Sequence, residues 1–424
     1  MTWSEPRVSR SKAGLGNTNN PDNVVLIFGA GYDKAVEDIN PCLYERSTLT
    51  AIEQKAIGTG TVTYTSTGGC TITSPSGSTT SFSRTKGRGI MVVDAFDGTV
   101  MWQAGAGVTT GTTNVTVNGV SRAVKKLNVP DMSCAIPSDT TVLDKNRDGF
   151  ADRIYVGDTC GQVWRVDVGN ASMDEWTVTK IAAFNSTSAT DSANKRKFLF
   201  PPDLVFGTDA SGNYTAVLLG SGDREHPFDT VVVNRFYMIK DRDGSSGTPT
   251  DGATNSSSVK ISGFSPAPTG SVITDGDVFD ATNTALVDGT DAQGLNGWKI
   301  TLAAGEKVVS SATSVAGTVF FNTNQPSSTA GGGSCGSNLG IAREYLVGFA
   351  DAAATVDLNA TGGITISDRS TIHAGGGYLP SPVPVVIEID GKKYQAVISG
   401  TSVQTPPGLT LEKRTRQYWY KEID

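Results

Sequence analysis

The feature that most constrains the fold is a short unit of paired strands that recurs along the chain. Apolar and β-branched runs joined by Asp and Gly steps are typical of antiparallel strand pairs, because the apolar runs suit strands and the Asp and Gly residues suit tight turns. Such units lie at 89–102, 154–167, 216–239, 318–348 and, in truncated form, 395–400. Together with 49 glycines in 424 residues, they predict an all-β chain.

A proline marks the strand that opens several of these units. Pro6, Pro137, Pro202 and Pro380 are separated by 131, 65 and 178 residues, close to two, one and three copies of one unit. Proline is tolerated at a strand start, which suits the innermost strand of a blade. A unit of about 60–65 residues predicts one domain over 1–424, a modified β-propeller of about seven blades closed by pairing of the chain ends.

Two stretches interrupt the repeat. Residues from about 44 to 86 predict an insertion, with a short helix at Thr50–Ile57 and an exposed hairpin around Val62 and Tyr64. Residues from about 241 to 297 are rich in Gly, Ser, Thr and Asp and predict long surface loops. A partly disordered domain boundary is the alternative for this second stretch.

The run Asp144–Asp152 carries the clearest chemistry. Asp144, Asn146, Asp148 and Asp152 place oxygen ligands at positions 1, 3, 5 and 9 of the run, and a glycine stands at position 6. This is the first part of the calcium-loop pattern, in which alternate side chains point at a hard cation and glycine supplies the turn.

Two further positions complete the predicted site. Phe150, at position 7, would contribute its backbone carbonyl. Position 12 holds Tyr155 and no acid, so Asp152 must close the shell. The alternative is an Asp-Gly turn without metal, since Asp and Asn also stabilise turns by themselves.

The flanks of the run predict a hairpin and not an EF-hand. Thr140–Leu143 and Arg153–Val156 are β-branched or aromatic, whereas an EF-hand requires helices on both sides. We therefore expect a calcium hairpin over 140–156 in which Leu143 pairs with Arg153.

Charge and hydropathy exclude several partners. The formal net charge of −7 argues against nucleic acid and against an anionic membrane surface. No apolar run reaches the ~18 residues of a membrane span. No signal peptide is recognisable, so we expect either a cytosolic protein or a piece of a longer secreted chain.

The five cysteines leave two interpretations open. None forms a Cys-x-x-Cys pair, which disfavours zinc. Extending the hairpin register outward places Cys134 opposite Gln162 and near Cys160, so a disulfide could form if a bulge shifts the register. A second disulfide could join Cys42 to Cys70, and Cys335 would then be the one cysteine outside a disulfide. The alternative is five buried thiols in a reducing compartment.

Five motifs run from the first strand almost to the C-terminus. They are Ile27–Asp33, Asp144–Asp152, Gly157–Asp167, Gly220–Pro227 with Asn234–Tyr237, and Leu379–Val383 with Ile398–Gly400. The Gly-Ser-Gly-Asp-Arg-Glu-His-Pro run is the most specific. Together these motifs resemble the C-terminal domain of the PilY1 family, calcium-binding factors of type IV pili.

The resemblance implies a function as well as a fold. It implies a non-enzymatic, calcium-binding propeller of about seven blades at the cell surface, outer membrane or pilus tip of a Gram-negative bacterium. Its partners would be the pilus machinery, minor pilins and a host or abiotic surface. Its role would be to regulate pilus extension against retraction and to support adhesion, twitching motility and virulence. The family's calcium ligands carry over onto Asp144, Asn146, Asp148, the Phe150 carbonyl and Asp152.

Other functions remain as alternatives. The segment from Val92 to Trp102 resembles the tryptophan-docking repeats of quinoprotein dehydrogenases, although Trp102 and Trp164 also suit simple packing between strands. A hydrolase would need His226 or His373 as its base, and Ser221 lacks the glycine spacing of a nucleophile elbow. The run from Asp223 to His226 is then a charged, hydrogen-bonded turn. A glycan-binding propeller is a further alternative.

Overall fold

The structure is a computed structural model of the chain. It describes residues 4–32, 61–64, 70–73, 79–82, 86–186, 191–242, 272–287, 296–327, 339–389, 392–400 and 402–405. All described regular elements are β-strands or single 3-10 turns, so the predicted all-β class is confirmed. Among these residues, no helix has the length and apolarity that crossing a bilayer requires.

The first two sheets hold the N-terminal half of the described chain. The first sheet has the order β1-β2-β6-β7-β9-β8, and the second has the order β10-β11-β12-β13. Their strands are β1 (Arg7–Arg10), β2 (Val24–Gly29), β6 (Ile90–Asp94), β7 (Val100–Gly105), β8 (Gly111–Val117), β9 (Val120–Asn128), β10 (Thr141–Leu143), β11 (Arg153–Gly157), β12 (Gln162–Asp167) and β13 (Thr177–Ala183). A separate meander is formed by β3 (Thr61–Tyr64), β4 (Cys70–Thr73) and β5 (Thr79–Phe82).

Three further sheets follow in chain order. The third has the order β14-β15-β16-β18-β17, the fourth β19-β21-β22-β23 with β20 also on β21, and the fifth β24-β25-β26. Their strands are β14 (Asp203–Asp209), β15 (Gly212–Gly220), β16 (Arg235–Arg242), β17 (Phe279–Asp280), β18 (Gly297–Thr301), β19 (Lys307–Val308), β20 (Thr313–Val315), β21 (Thr318–Gln325), β22 (Ile341–Gly348), β23 (Ser370–His373), β24 (Val383–Ile389), β25 (Lys392–Ser399) and β26 (Ser402–Gln404).

The 3-10 turns are short. They lie at Met173–Glu175, Ser192–Asn194, Asp275–Asp277 and Ile366–Arg369. The predicted helix at Thr50–Ile57 and most of the insertion at 44–86 fall outside the described residues, as does most of 241–297.

The marker prolines precede strands, as expected. Pro6 and Pro202 stand directly before β1 and β14, while Pro137 and Pro380 lie a few residues before β10 and β24. Strands at or near the start of successive sheets also adjoin, since β1 contacts β10, β14 contacts β20, and β20 contacts β24. Thr141 of β10 donates through its Oγ1 to the Pro202 carbonyl, 2.5 Å away.

The described strands do not show the predicted closure of the propeller by pairing of the chain ends. There, β1 pairs with β2 and β26 pairs with β25, and no sheet joins the two chain ends. The described residues form five blade-like sheets and the small meander, so the predicted count of seven blades is not confirmed.

The core is built from aromatic side chains that cross between sheets. Phe236 of the third sheet stacks on Phe321 of the fourth, with ring centroids 3.9 Å apart, and Phe321 in turn stacks on Tyr345. Each fully buried aromatic ring stabilises the fold by roughly 1.5–3 kcal/mol. Trp102 and Trp164 are also buried, which fits their predicted packing role.

Two buried polar groups bridge neighbouring sheets. Asp241 of β16 accepts hydrogen bonds from the Tyr155 hydroxyl at 2.7 Å and from Arg165 Nη1 at 2.8 Å, both on the second sheet. Lys307 of β19, 2% exposed, donates from its ammonium to the carbonyls of Pro227, Gly305 and Asp229. Burial lowers the pKa of Lys307.

Candidate metal centre

The first candidate loop is the turn between β10 and β11. The two strands pair antiparallel with Leu143 opposite Arg153, which confirms the predicted hairpin register. The turn needs left-handed backbone at two places, Arg147 (φ 63°) and Gly149 (φ 87°). The glycine adopts this conformation at no steric cost, whereas it is sterically unfavourable for Arg147.

The oxygen-bearing side chains fold inward over this turn. Asp144 accepts the backbone N–H groups of Asp148 (3.1 Å) and Gly149 (2.8 Å) through its two carboxylate oxygens. Asn146 Oδ1 accepts the Asp148 N–H at 2.9 Å, and Asp148 Oδ1 accepts the Phe150 N–H at 3.0 Å. Each oxygen keeps a second lone pair that a cation could use.

Asp152 closes the loop from the first residue before β11. Its Oδ2 accepts the N–H groups of Lys145 (2.8 Å) and Asn146 (3.1 Å). Its Oδ1 faces Gly169, where an added Cβ would lie only 2.7 Å away. Tyr155, at position 12, is buried and points to Asp241, so it is no ligand. The structure thus gathers Asp144, Asn146, Asp148 and Asp152 around one turn, with Phe150 in the same turn.

A lysine from the N-terminal segment pairs with this loop. Lys12 Nζ lies 2.8 Å from Asp148 Oδ2. The pKa of Asp148 lies below its ordinary value, chiefly because its carboxylate accepts this hydrogen bond. The pKa of Lys12 is raised by the same bond and by attraction to Asp148, with smaller contributions from Asp152 and Asp144. One ammonium therefore feels all three loop carboxylates.

The donor set fits calcium by its chemistry, since hard oxygens are the ligands that this ion prefers. Within the described residues, however, no group of three His, Cys, Asp or Glu side chains converges closely enough to hold a metal. The loop carboxylates are directed at backbone N–H groups and at Lys12. Metal binding would require them to turn toward a common point.

A second loop with the same plan lies between β22 and β23. Reading from Asp357, oxygen-bearing side chains stand at positions 1, 3, 5 and 12, and Gly362 stands at position 6. They are Asp357, Asn359, Thr361 and Asp368.

The hydrogen bonds of the second loop repeat those of the first. Asp357 accepts the N–H groups of Thr361 (3.2 Å) and Gly362 (2.8 Å), and Asn359 Oδ1 also accepts the Thr361 N–H, at 3.1 Å. The closing Asp368 accepts the Asn359 N–H at 3.1 Å, as Asp152 accepts that of Asn146. The left-handed residues are again at positions 4 and 6, Ala360 (φ 54°) and Gly362 (φ 86°).

The sequence analysis missed this second loop, although a signal was present. Asp368 supplies the acid at position 12 that the first loop lacks, so the twelve-residue pattern is more complete here. Asp368 is fully buried and caps the 3-10 turn Ile366–Arg369, and its pKa is lowered chiefly by the Thr365 N–H. The next residue, Arg369, donates to the carbonyls of Ala281, Thr282 and Thr284.

The residues considered for catalysis are packed as structural groups. Ser221 is fully buried and its Oγ donates to Asn234, 3.1 Å away. Asp223 pairs with Lys197 (2.7 Å) and with His226 Nδ1 (2.8 Å), forming the predicted charged turn. His373 Nε2 lies 3.3 Å from Glu344.

One disulfide is present among the described residues. Cys134 and Cys160 are bonded, with Cα atoms 5.8 Å apart, which confirms the predicted pairing. The outward extension of the hairpin register, which placed Cys134 opposite Gln162, was wrong, because Ile136 bridges Gly31 and the chain joins the second sheet only at Thr141. Cys42, Cys335 and the side chain of Cys70 lie outside the described part, so the second bridge stays a prediction.

Similarity to a known protein is found in the structure and not in the sequence. No protein-family model matches the chain, and no curated protein matches it in sequence. The structure is similar to the crystal structure of the Pseudomonas aeruginosa PilY1 C-terminal domain, with 16% identity, a TM-score of 0.47, and coverage of 96% of this chain and 85% of that chain. This is the domain that the sequence motifs resemble.

Proposed function

We propose that this chain is a non-enzymatic, calcium-binding domain of a type IV pilus biogenesis protein. The observation that carries the calcium part is the Asp144–Asp152 turn, which gathers four oxygen-bearing side chains on one hairpin. The same hydrogen-bond plan recurs in the loop Asp357–Asp368. The pilus part rests on the five sequence motifs that resemble the PilY1 family.

The architecture we propose is a modified propeller of about seven blades. The support is the contact between strands at or near the start of successive sheets, as inner strands of a propeller meet around an axis. The domain would act at the cell surface or pilus tip, with the pilus machinery, minor pilins and a host or abiotic surface as partners.

The proposed mechanism follows from charge repulsion in the turn. Three carboxylates, those of Asp144, Asp148 and Asp152, share one nine-residue turn. Calcium held by these groups, Asn146 and the Phe150 carbonyl would neutralise that repulsion and fix the turn on the hairpin. The order of this surface would then depend on calcium and would bias pilus extension against retraction.

Calorimetric titration of the full chain tests the proposal. We expect two calcium sites, with the first loop on the order of micromolar or weaker because no Glu stands at its position 12. Asp152→Ala should remove one site, since it deletes the carboxylate that closes the first loop. Asp174→Ala is the matched control, as Asp174 is an exposed acid paired with Lys125.

Three results would contradict the proposal. If the chain binds no calcium, the proposed metal function is wrong. If Asp152→Ala binds calcium normally, the ligand assignment is wrong. Quinone-dependent dehydrogenase activity in the same sample would favour the quinoprotein alternative. The unmodified chain and the Asp174→Ala variant should behave alike in every assay.

A further inference from the structure

Lys12 is placed at the first loop by a rigid segment. Its neighbours Ser11 and Ala13 are 3% and 2% exposed, so the backbone on either side is packed into the fold. The Ser11 N–H donates to the Asn23 carbonyl at 2.9 Å. The Lys12 side chain itself is 39% exposed and reaches outward to Asp148. Packing therefore presents this ammonium to the loop.

The same N-terminal segment also contacts the loop through Arg10. The Ala151 N–H donates to the Arg10 carbonyl at 2.9 Å, and the Arg10 guanidinium lies over the Phe150 ring, 4.7 Å from its centroid. The loop and the segment after β1 thus form one surface unit. Lys12 contributes the only cation in ion-pair contact with a loop carboxylate among the described residues.

The second loop differs in this respect, and it also carries Thr361 at position 5, where the first loop has Asp148. Its hydrogen bonds and backbone conformation match those of the first loop, yet in the described part of the chain neither Asp357 nor Asp368 forms an ion pair with a Lys or Arg. The two loops therefore form a natural comparison, one with a tethered cation and one without.

We propose that Lys12 is a built-in counter-cation of the first loop, which calcium must displace from Asp148. This inference rests on the proposed calcium function and adds its regulation. Lys12 Nζ contacts Oδ2 of Asp148, a residue assigned to the metal, and a divalent ion at that carboxylate would repel the ammonium. While Lys12 is in place, one of the three carboxylate charges is balanced without metal. Lys12 therefore lowers the calcium affinity of the first loop and shifts its response to higher calcium concentration.

The test uses the full chain with the second loop silenced by Asp357→Ala, so that calorimetry reports the first loop alone. In this background Lys12→Met and Lys12→Gln should each bind calcium roughly tenfold more tightly, the effect of removing one unit charge a few ångströms from a divalent ion near the surface. Lys12→Arg should keep the affinity within about threefold, because the charge is retained. Lys125→Met is the matched control, since it also removes an ammonium paired with an aspartate, Asp174, and it should leave the affinity unchanged.

The outcomes separate this inference from the proposed function. If the Asp357→Ala chain gives no calcium heat beyond that of the Asp152→Ala, Asp357→Ala double variant, the first loop is not a calcium site and both ideas fail. If it binds calcium but Lys12→Met and Lys12→Gln match Lys125→Met, Lys12 does not compete and only this inference fails. Tighter binding in both Lys12 variants but not in Lys125→Met supports it.

Discussion

At the scale of single residues, the most consequential charge outside the loops is Asp223. Its carboxylate is 7% exposed and lies 2.7 Å from the ammonium of Lys197, which is 1% exposed. Burial alone would raise the pKa of Asp223, but attraction to Lys197 and the contact with His226 outweigh it and hold the pKa well below its ordinary value. The carboxylate therefore stays ionised inside the fold.

Asp223→Asn should lower the free energy of unfolding by about 3–5 kcal/mol, because it removes the carboxylate that pairs with the buried Lys197 ammonium. The contribution of Asp223 is fully present above pH ~4 and is lost as the pH falls toward its folded-state pKa. Urea unfolding between pH 3 and pH 7 measures both effects. Asp131→Asn, which breaks the more exposed pair with Lys180, should cost under about 1 kcal/mol. Equal losses in the two variants would refute the assignment.

At the scale of elements, the Cys134–Cys160 bridge ties the segment after β9 to the turn between β11 and β12. It encloses a separation of 26 residues that includes the candidate calcium hairpin. Replacing both cysteines with serine should lower the free energy of unfolding by about 3 kcal/mol, the chain-entropy value for a loop of this size.

Urea unfolding of the oxidised protein and of the double serine variant measures this difference. Thiol counting on the denatured, unreduced protein checks that the bond is formed. Five free thiols in the unmodified chain would contradict the disulfide. Equal stability of the two proteins would show that the disulfide does not stabilise the fold.

The elements also show which local features were readable in the sequence. The hairpin register was predictable because alternating strands and an Asp-Gly turn leave one way to pair Leu143 with Arg153. The placement of Cys134 was not predictable, because Ile136 bridges Gly31, a residue distant in sequence, before the chain joins the second sheet at Thr141. Lys12 was equally hidden, since 136 residues separate it from Asp148.

At the scale of the whole molecule, the proposed role predicts a phenotype in a piliated cell. Asp152→Ala should lose surface pili, or keep them only when retraction is also disabled, because the loop cannot be fixed by calcium. Asp152→Lys should keep pili without responding to calcium, since its ammonium can balance the remaining carboxylates. Counting pili sheared from cells grown with and without calcium gives the measurement.

Asp174→Ala is again the control and should behave as the unmodified protein does. Normal, calcium-responsive piliation in cells carrying Asp152→Ala would show that the loop does not control the pilus.

The all-β class and the strand pairs could be predicted from the repeat of apolar runs in the sequence. The number of blades could not, because long stretches between the runs give no strand pattern to count.

The buried ammonium of Lys307 can be compared with the calcium ions proposed for the two loops. Its ammonium is surrounded by the carbonyls of Pro227, Gly305 and Asp229, the kind of oxygen cage that a free monovalent ion would receive. A cation attached to the chain by covalent bonds cannot be lost by dilution or chelation. The fold thus has a covalently attached cation where its fourth sheet meets the 227–229 segment. If the calcium proposal holds, chelators should leave that junction intact while they remove calcium from the two surface loops. The protein would then use an attached cation for its architecture and exchangeable cations for sensing.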